Sequence, residues 1–214
     1  MKINYSEGPI IDNRQFQYEA LMRTIRSRLD LIQQLKVTQA NGFSKCETAA
    51  FHGRKIIEGI AFGCVVALEN KTKQIPRDAK GQWNAAKIFK RLQAKSLFPF
   101  PSPSIIRAPT SEEEITHDVT AVVEGIVERR LSPNELISFY DDFHKWLHEL
   151  NPYVGLDQSG FLYTHKNNLW ANLQRLERFI ERHTITIGGI GFFCTLRDSG
   201  DGSTKVISLS KISS

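Results

Sequence analysis

Ile56-Ile-Glu-Gly-Ile-Ala-Phe-Gly-Cys-Val-Val-Ala-Leu68 is the stretch that decides the fold. Its apolar residues fall on nearly every side of a helix, with Glu58 the single charge, and a helix apolar all round is a buried one. Thirteen residues are too few for a bilayer crossing, which takes about 20. The stretch therefore reads as the central helix of a water-surrounded bundle. Gly53, Gly59 and Gly63 each cost this helix up to about 1 kcal/mol relative to Ala. Close approach of neighbouring helices would offset that cost.

Working outward, the central helix is expected from about Lys45 to Asn70, with Ser44 as N-cap and Glu47 three residues on. Before it, Tyr18, Leu21, Met22, Ile25, Leu29, Ile32 and Leu35 recur at threes and fours, which predicts one long helix over residues 13–40. Arg14, Arg23, Arg26 and Lys36 lie on its other face. After it come a polar connector (Lys71 to Gly81) and a third helix from about Gln82 to Lys95. Three prolines between Leu97 and Pro103 end that helix, and residues 97–110 read as a Pro-rich loop. Ser111-Glu-Glu-Glu114 opens a weaker helix through about Arg130. Ser132-Pro133, an N-cap followed by a proline at N1, opens another to about Leu150. A last helix covers roughly Tyr163 to Arg182.

Beyond His183 the period changes to two, in Thr184-Ile-Thr-Ile and in Lys205 to Ile212, with a turn cluster at Asp198 to Ser203. Gly188, Gly189 and Gly191 read as a bulge or strand kink. The expected fold is mainly α: a bundle of five to six helices over residues 1–183, with a small C-terminal β-hairpin or meander over 184–214 packed on the same domain.

The chain has 214 residues, 41% hydrophobic and 24% charged, enough apolar content for a core. Cys46, Cys64 and Cys194 are scattered and odd in number, which fits a reducing compartment rather than a disulfide scaffold. With no signal-peptide pattern at Met1 to Glu7, the expected location is cytoplasmic, with no membrane association. The net charge of +5 is uneven. Residues 71–95 carry Lys71, Lys73, Arg77, Lys80, Lys87, Lys90, Arg91 and Lys95 against Asp78 alone, with Trp83 and Phe89 interleaved. Basic groups among aromatic faces suit a phosphate backbone, so Lys80, Lys87, Lys90, Arg91 and Lys95 are the candidate nucleic-acid contacts. The same charges also fit a solvated surface that balances the acidic residues 101–150.

The motifs for chemistry are few. His144 and His148, four apart behind Asp141, could share a metal, but no glutamate stands where a zincin needs one. No nucleophile elbow or phosphate-cradling loop occurs, and nothing calls for a cofactor. Arginine–histidine combinations remain. Arg178 and His183 are five apart at the end of the last helix. Arg54 sits on the apolar central helix with Glu58 one turn on, and His148 lies near the Asn151-Pro152 stop, where a histidine can act as acid or base.

The order of helices, Arg54-Lys-Ile-Ile-Glu58 on an apolar second helix, a Lys-rich third helix and a late His148 together resemble the HEPN superfamily, particularly its larger bacterial members associated with phage defence or toxin systems. The resemblance covers roughly Arg14 to His183. Arg178 and His183 match the family's ribonuclease mark, an Arg and a His separated by four to six residues. Phe179 stands where that family usually carries a polar residue, and the motif closes its helix rather than opening it. What the resemblance implies is metal-independent endoribonuclease activity, with Arg178 or Arg54 holding phosphate and His183 or His148 moving protons, often at a homodimer. Three readings follow: an RNA-directed protein, a non-catalytic interaction module using the C-terminal hairpin edge (Val206, Ile207, Leu209), and a metal or small-molecule enzyme at His144 and His148.

Overall fold

The structure, a computed structural model, describes residues 2–3, 13–39, 42–72, 81–94, 98–113, 121–149, 153 and 157–209. It is mainly helical with an antiparallel sheet. The helices are α1 (Asn13–Val37), α2 (Gly42–Thr72), α3 (Ala85–Gln93), α4 (Pro133–Lys145) and α5 (Gln158–Ile180). The strands are β1 (Lys2–Ile3), β2 (Ser102–Arg107), β3 (Ala121–Gly125), β4 (Arg182–Ile187), β5 (Ile190–Thr195) and β6 (Lys205–Leu209). Among the described residues, no helix is long and apolar enough to cross a membrane.

The central helix is α2, 31 residues and about 46 Å long at 1.5 Å per residue. It packs on α1, α3, α4, α5, β4 and β5. Its partner α1 runs antiparallel, so that Arg14 meets Glu69 at 2.8 Å while Arg28 reaches His52 at 3.2 Å. Between these contacts, Tyr18, Met22 and Ile25 enter the spaces left by Gly63 and Gly59. Gly53 is tighter still: a Cβ there would lie 2.6 Å from Leu173 Cδ2 and 2.8 Å from Phe143 Cε2. Only a residue without a Cβ lets α4 and α5 come down on α2 together at this level.

Local signals set the other helices. The Ser132 hydroxyl accepts from the Glu135 amide while Glu135 accepts from the Ser132 amide, the reciprocal box that starts α4. Helix α5 starts at Gln158, five residues earlier than the apolar pattern alone predicts, because the Asp157 side chain caps it by accepting from the Gly160 amide. Ser44, expected as the cap of α2, lies inside that helix.

The sheet corrects the expectation of a helical body with a terminal hairpin. Its order is β1-β3-β2-β4-β5-β6, antiparallel throughout. The stretch expected as a Pro-rich loop contains β2. That strand changes partner along its length: Ser102 and Pro103 pair with Thr184 and His183 of β4, while Ser104 to Arg107 pair with β3. Pro103 gives up one donor, and its carbonyl still accepts from the Ile126 amide at 2.8 Å. The weak helix expected through Arg130 is, among its described residues, α-helical only at 111–113 and 3₁₀-helical at Val127–Arg129. Ala121-Val-Val forms a strand because its β-branched side chains cover the sheet and pair with Ile106 and Arg107. The strands after His183 are half of this sheet rather than an appendage: Phe192 stacks on Tyr18 of α1, and both Phe192 and Leu196 belong to the common core. Gly188 and Gly189, with φ of 56° and 83°, form the two-residue turn between β4 and β5, where a bulge or strand kink was expected.

Candidate functional site

The phase of α2 places Arg54 and Glu58 one turn apart, facing α4. Because Phe143 is seated against Gly53, its neighbour His144 is carried to Arg54. Tyr140, His144 and His148 then follow at steps of four. Helix α4 ends at Lys145 with bonds from the Trp146 amide to Phe143 O and from the Leu147 amide to His144 O. Trp146, packed against Phe43 and Phe161, anchors the turn that presents His148.

These residues form a continuous hydrogen-bonded chain. Arg54 Nη2 donates to Tyr140 Oη at 2.8 Å, and Tyr140 donates to Glu58 Oε1 at 3.3 Å. Arg54 Nε lies 3.4 Å from the same Glu58 oxygen, while Lys55 Nζ holds the other at 2.7 Å. Arg54 Nη1 donates to His144 Nδ1 at 2.6 Å, and His144 Nε2 lies 2.8 Å from His148 Nε2. The chain runs outward, from Tyr140 at 3% exposed through half-buried Arg54 and His144 to His148 in solvent.

Donor chemistry assigns the protons. Arginine has no acceptor, so His144 Nδ1 must be a bare lone pair and the proton of neutral His144 sits on Nε2. That proton points at His148 Nε2, which must then accept, leaving the His148 proton on Nδ1. Burial lowers the pKa of His144, and the Arg54 charge and the His148 ring lower it further, against an opposing pull from Asp141. Arg54, Lys55 and Glu58 together carry one excess positive charge.

The same logic argues against the metal reading. A ligating histidine offers one nitrogen to the metal and its N–H to a second-shell acceptor. With Arg54 as donor on Nδ1, His144 has no N–H left over for that role once Nε2 is given to a metal. No third His, Cys, Asp or Glu among the described residues joins the pair.

The structure does not bring Arg178 and His183 together. Arg178 is on the exposed face of α5, whereas His183 is on β4 and fully enclosed. Its Nδ1–H donates to Ile180 O at 2.9 Å and its Nε2 accepts from Tyr18 Oη at 2.6 Å, so both ring nitrogens are satisfied inside the core. Burial pushes its pKa down to about 4. It is a structural histidine. The other pairing, Arg54 with His148, is bridged by His144, which the sequence offered only as a metal ligand. Tyr140 was missed altogether, although Tyr140, His144 and His148 are legible as a stripe at helical spacing.

Of the basic band, Lys87 and Lys90 point to solvent and Arg91 is half-buried, on a helix that packs against both α2 and α4. Lys80 and Lys95 lie outside the described residues. Phe89 is fully buried and offers no stacking face. Trp83 does, at 79% exposed, standing edge-on to Phe62 of α2 with 6.0 Å between ring centroids. The C-terminal edge is less open than its sequence suggests: Val206 and Leu209 are buried, and Gln15 of α1 donates to Val206 O and accepts from Ser208 on β6.

No family model, no curated protein and no solved structure matches the chain.

Proposed function

We propose that this chain is an HEPN-like, RNA-directed protein that cleaves phosphodiester bonds without a metal. His148 is the proton-transferring group, and Arg54 is the fixed cation behind it. The observation that carries this reading is the Arg54–His144–His148 chain, which takes a half-buried guanidinium anchored by Glu58 and Tyr140 and ends it on a solvent-exposed imidazole. Metal-independent RNA cleavage needs those two things, a positive field for the phosphoryl oxygens and a base near the 2′-hydroxyl.

In the proposed step, an RNA 2′-hydroxyl replaces His144 at the His148 Nε2 lone pair. The hydroxyl proton passes to Nε2 as the 2′-oxygen bonds to phosphorus. The bond from phosphorus to the 5′-oxygen breaks, and that oxygen takes a proton from the histidinium. The products are a 2′,3′-cyclic phosphate and a 5′-hydroxyl, with no redox change. Lys87 and Lys90 on the adjoining helix supply phosphate contacts, and the exposed Trp83 ring just before it supplies a stacking face.

The test is cleavage of single-stranded RNA with EDTA present. His148→Ala and Arg54→Ala are each expected to slow cleavage about 10²-fold or more, with cyclic-phosphate ends on the wild-type products. His183→Gln is expected to change activity only as far as it changes folding. Absence of cleavage by the wild-type chain on structured and unstructured RNA alike would overturn the catalytic reading.

A further inference from the structure

In the resting Arg54–His144–His148 chain, the outermost imidazole has no free lone pair. His148 Nε2 lies 2.8 Å from His144 Nε2, and the two rings meet at 73° with their centroids 4.1 Å apart. A hydrogen-bonding oxygen needs about 2.5–3.2 Å to each nitrogen it bonds, so no atom fits between the two. The other nitrogen of neutral His148 carries its ring proton and has no lone pair to offer. Although His148 stands in solvent, the protein itself caps the one atom that could take a proton.

The cap depends on the position of a single proton. It exists while the His144 proton is on Nε2, and the proton is there because Arg54 Nη1 donates to Nδ1 at 2.6 Å. Burial, the Arg54 charge and the His148 ring all lower the His144 pKa, against Asp141. The ring therefore chooses between two neutral tautomers. Glu58 and Tyr140 hold the Nε and Nη2 sides of the guanidinium, which leaves Nη1 as the corner turned to His144.

An anion at that corner reverses the choice. Its oxygen accepts from Nη1 and stands beside His144 Nδ1 as an acceptor, where Arg54 had been a donor. Nδ1 then takes a proton from water and Nε2 gives one up to water, with no net change in protons or charge. Two lone pairs now face each other across the former bond, and the rings part. The turn need not move, because Trp146 stays anchored against Phe43 and Phe161.

We propose that His144 is an anion-triggered latch, covering His148 in the resting chain and releasing it when a phosphoryl oxygen takes the Arg54 Nη1 donor. His144 is a positioning residue here, acting through His148. The latch confines the base to moments when a phosphate is in place. It rests on the reading of Arg54 as the cation for phosphoryl oxygens, and its test uses no RNA.

Diethyl pyrocarbonate probes the lone pair directly, since a bare imidazole nitrogen takes its carbethoxyl group with release of ethanol and carbon dioxide. Labelling of the full chain is followed residue by residue by tandem mass spectrometry at about pH 8, above the ordinary histidine range. The two conditions are sodium chloride and sodium sulfate at equal ionic strength, sulfate having the tetrahedron of a phosphoryl group. His165 of α5, against Phe161 and outside the bonded chain, is the reference. In the wild type, sulfate should speed His148 labelling about two- to tenfold, the range of one lost hydrogen bond. Long-range ¹⁵N–¹H spectra should show His144 passing from the Nε2–H to the Nδ1–H form.

His144→Asn keeps an acceptor for Arg54 but is too short to reach His148, so labelling should be fast in both salts. His144→Gln keeps a donor at the reach of Nε2, and an amide has no second tautomer, so labelling should stay slow in both. Arg54→Ala should lose the response to sulfate. Wild-type labelling in chloride as fast as in His144→Asn, no response of the wild type to sulfate, or a wild-type response in His144→Gln would each overturn the latch. The full pattern in a chain that never cleaves RNA would keep the latch and dismiss the ribonuclease, and RNA cleavage without the pattern would do the reverse.

Discussion

Arg54 donates to His144 Nδ1 across 2.6 Å, and that single bond dictates which nitrogen of His144 carries its proton. Replacing Arg54 by Ala frees the tautomer. Long-range ¹⁵N–¹H correlation spectra should show His144 as the Nε2–H form in the wild type and as a mixture in Arg54→Ala. The His144 pKa should rise in the variant, because the Arg54 charge is one of the causes that lower it. A His144 that is already a mixture in the wild type would contradict the chain of bonds described above.

Stability should depend on pH through His183. Its folded-state pKa is depressed to about 4, against the ordinary 6.5, so the unfolded chain binds the proton more readily. The stabilisation is present in full above about pH 6.5 and is lost as pH falls from there towards 4. The difference corresponds to about 3 kcal/mol at most. Urea midpoints measured from pH 7 to pH 4 should fall in the wild type and fall less steeply in His183→Phe.

Gly53→Ala should damage the site at a distance. Its Cβ cannot coexist with Leu173 and Phe143 where they stand, so α4 must shift. A cost of about 1–3 kcal/mol is expected, as for other overpacked cores. RNA cleavage should fall further than stability alone accounts for, because His144 moves away from Arg54. Gly81→Ala, where a Cβ meets nothing within 4 Å, should leave both properties unchanged.

The solvent-facing lysines of α3 should govern salt dependence. In Lys87→Gln/Lys90→Gln, RNA affinity should weaken for all sequences alike. The slope of log affinity against log salt should fall by about two, one for each lost phosphate contact. An unchanged slope in fluorescence anisotropy titrations would remove α3 from the interface.

Much of the helical body was legible because its signals are local. The all-round apolar run at Ile56 to Leu68, the Ser132-Pro133 start and the threes-and-fours of α1 each require one element and no knowledge of the rest. The sheet was half hidden. Residues 102–107 hold a proline in a strand, and their pairing depends on residues 121–125 and on His183, far away in sequence. The site was partly visible. Arg54, Glu58 and His148 could be named, but the choice between His183 and His148 turns on burial. His183 is enclosed by Tyr18 from the other end of the chain, a contact that spacing within the Arg178 to His183 motif does not contain.

The divided partnership of β2 also has a consequence for the order of assembly during synthesis. Helices α1 and α2 are neighbours in sequence and can pair as soon as both have left the ribosome. Strand β2 must wait for Thr184, 82 residues after Ser102, which at about 5–20 residues per second is a delay of seconds. Until then one stretch of β2 backbone and the hydroxyl of Tyr18 have no native counterpart. The nascent chain is most exposed to misassociation in that interval, after the helical hairpin has formed and before the last three strands arrive.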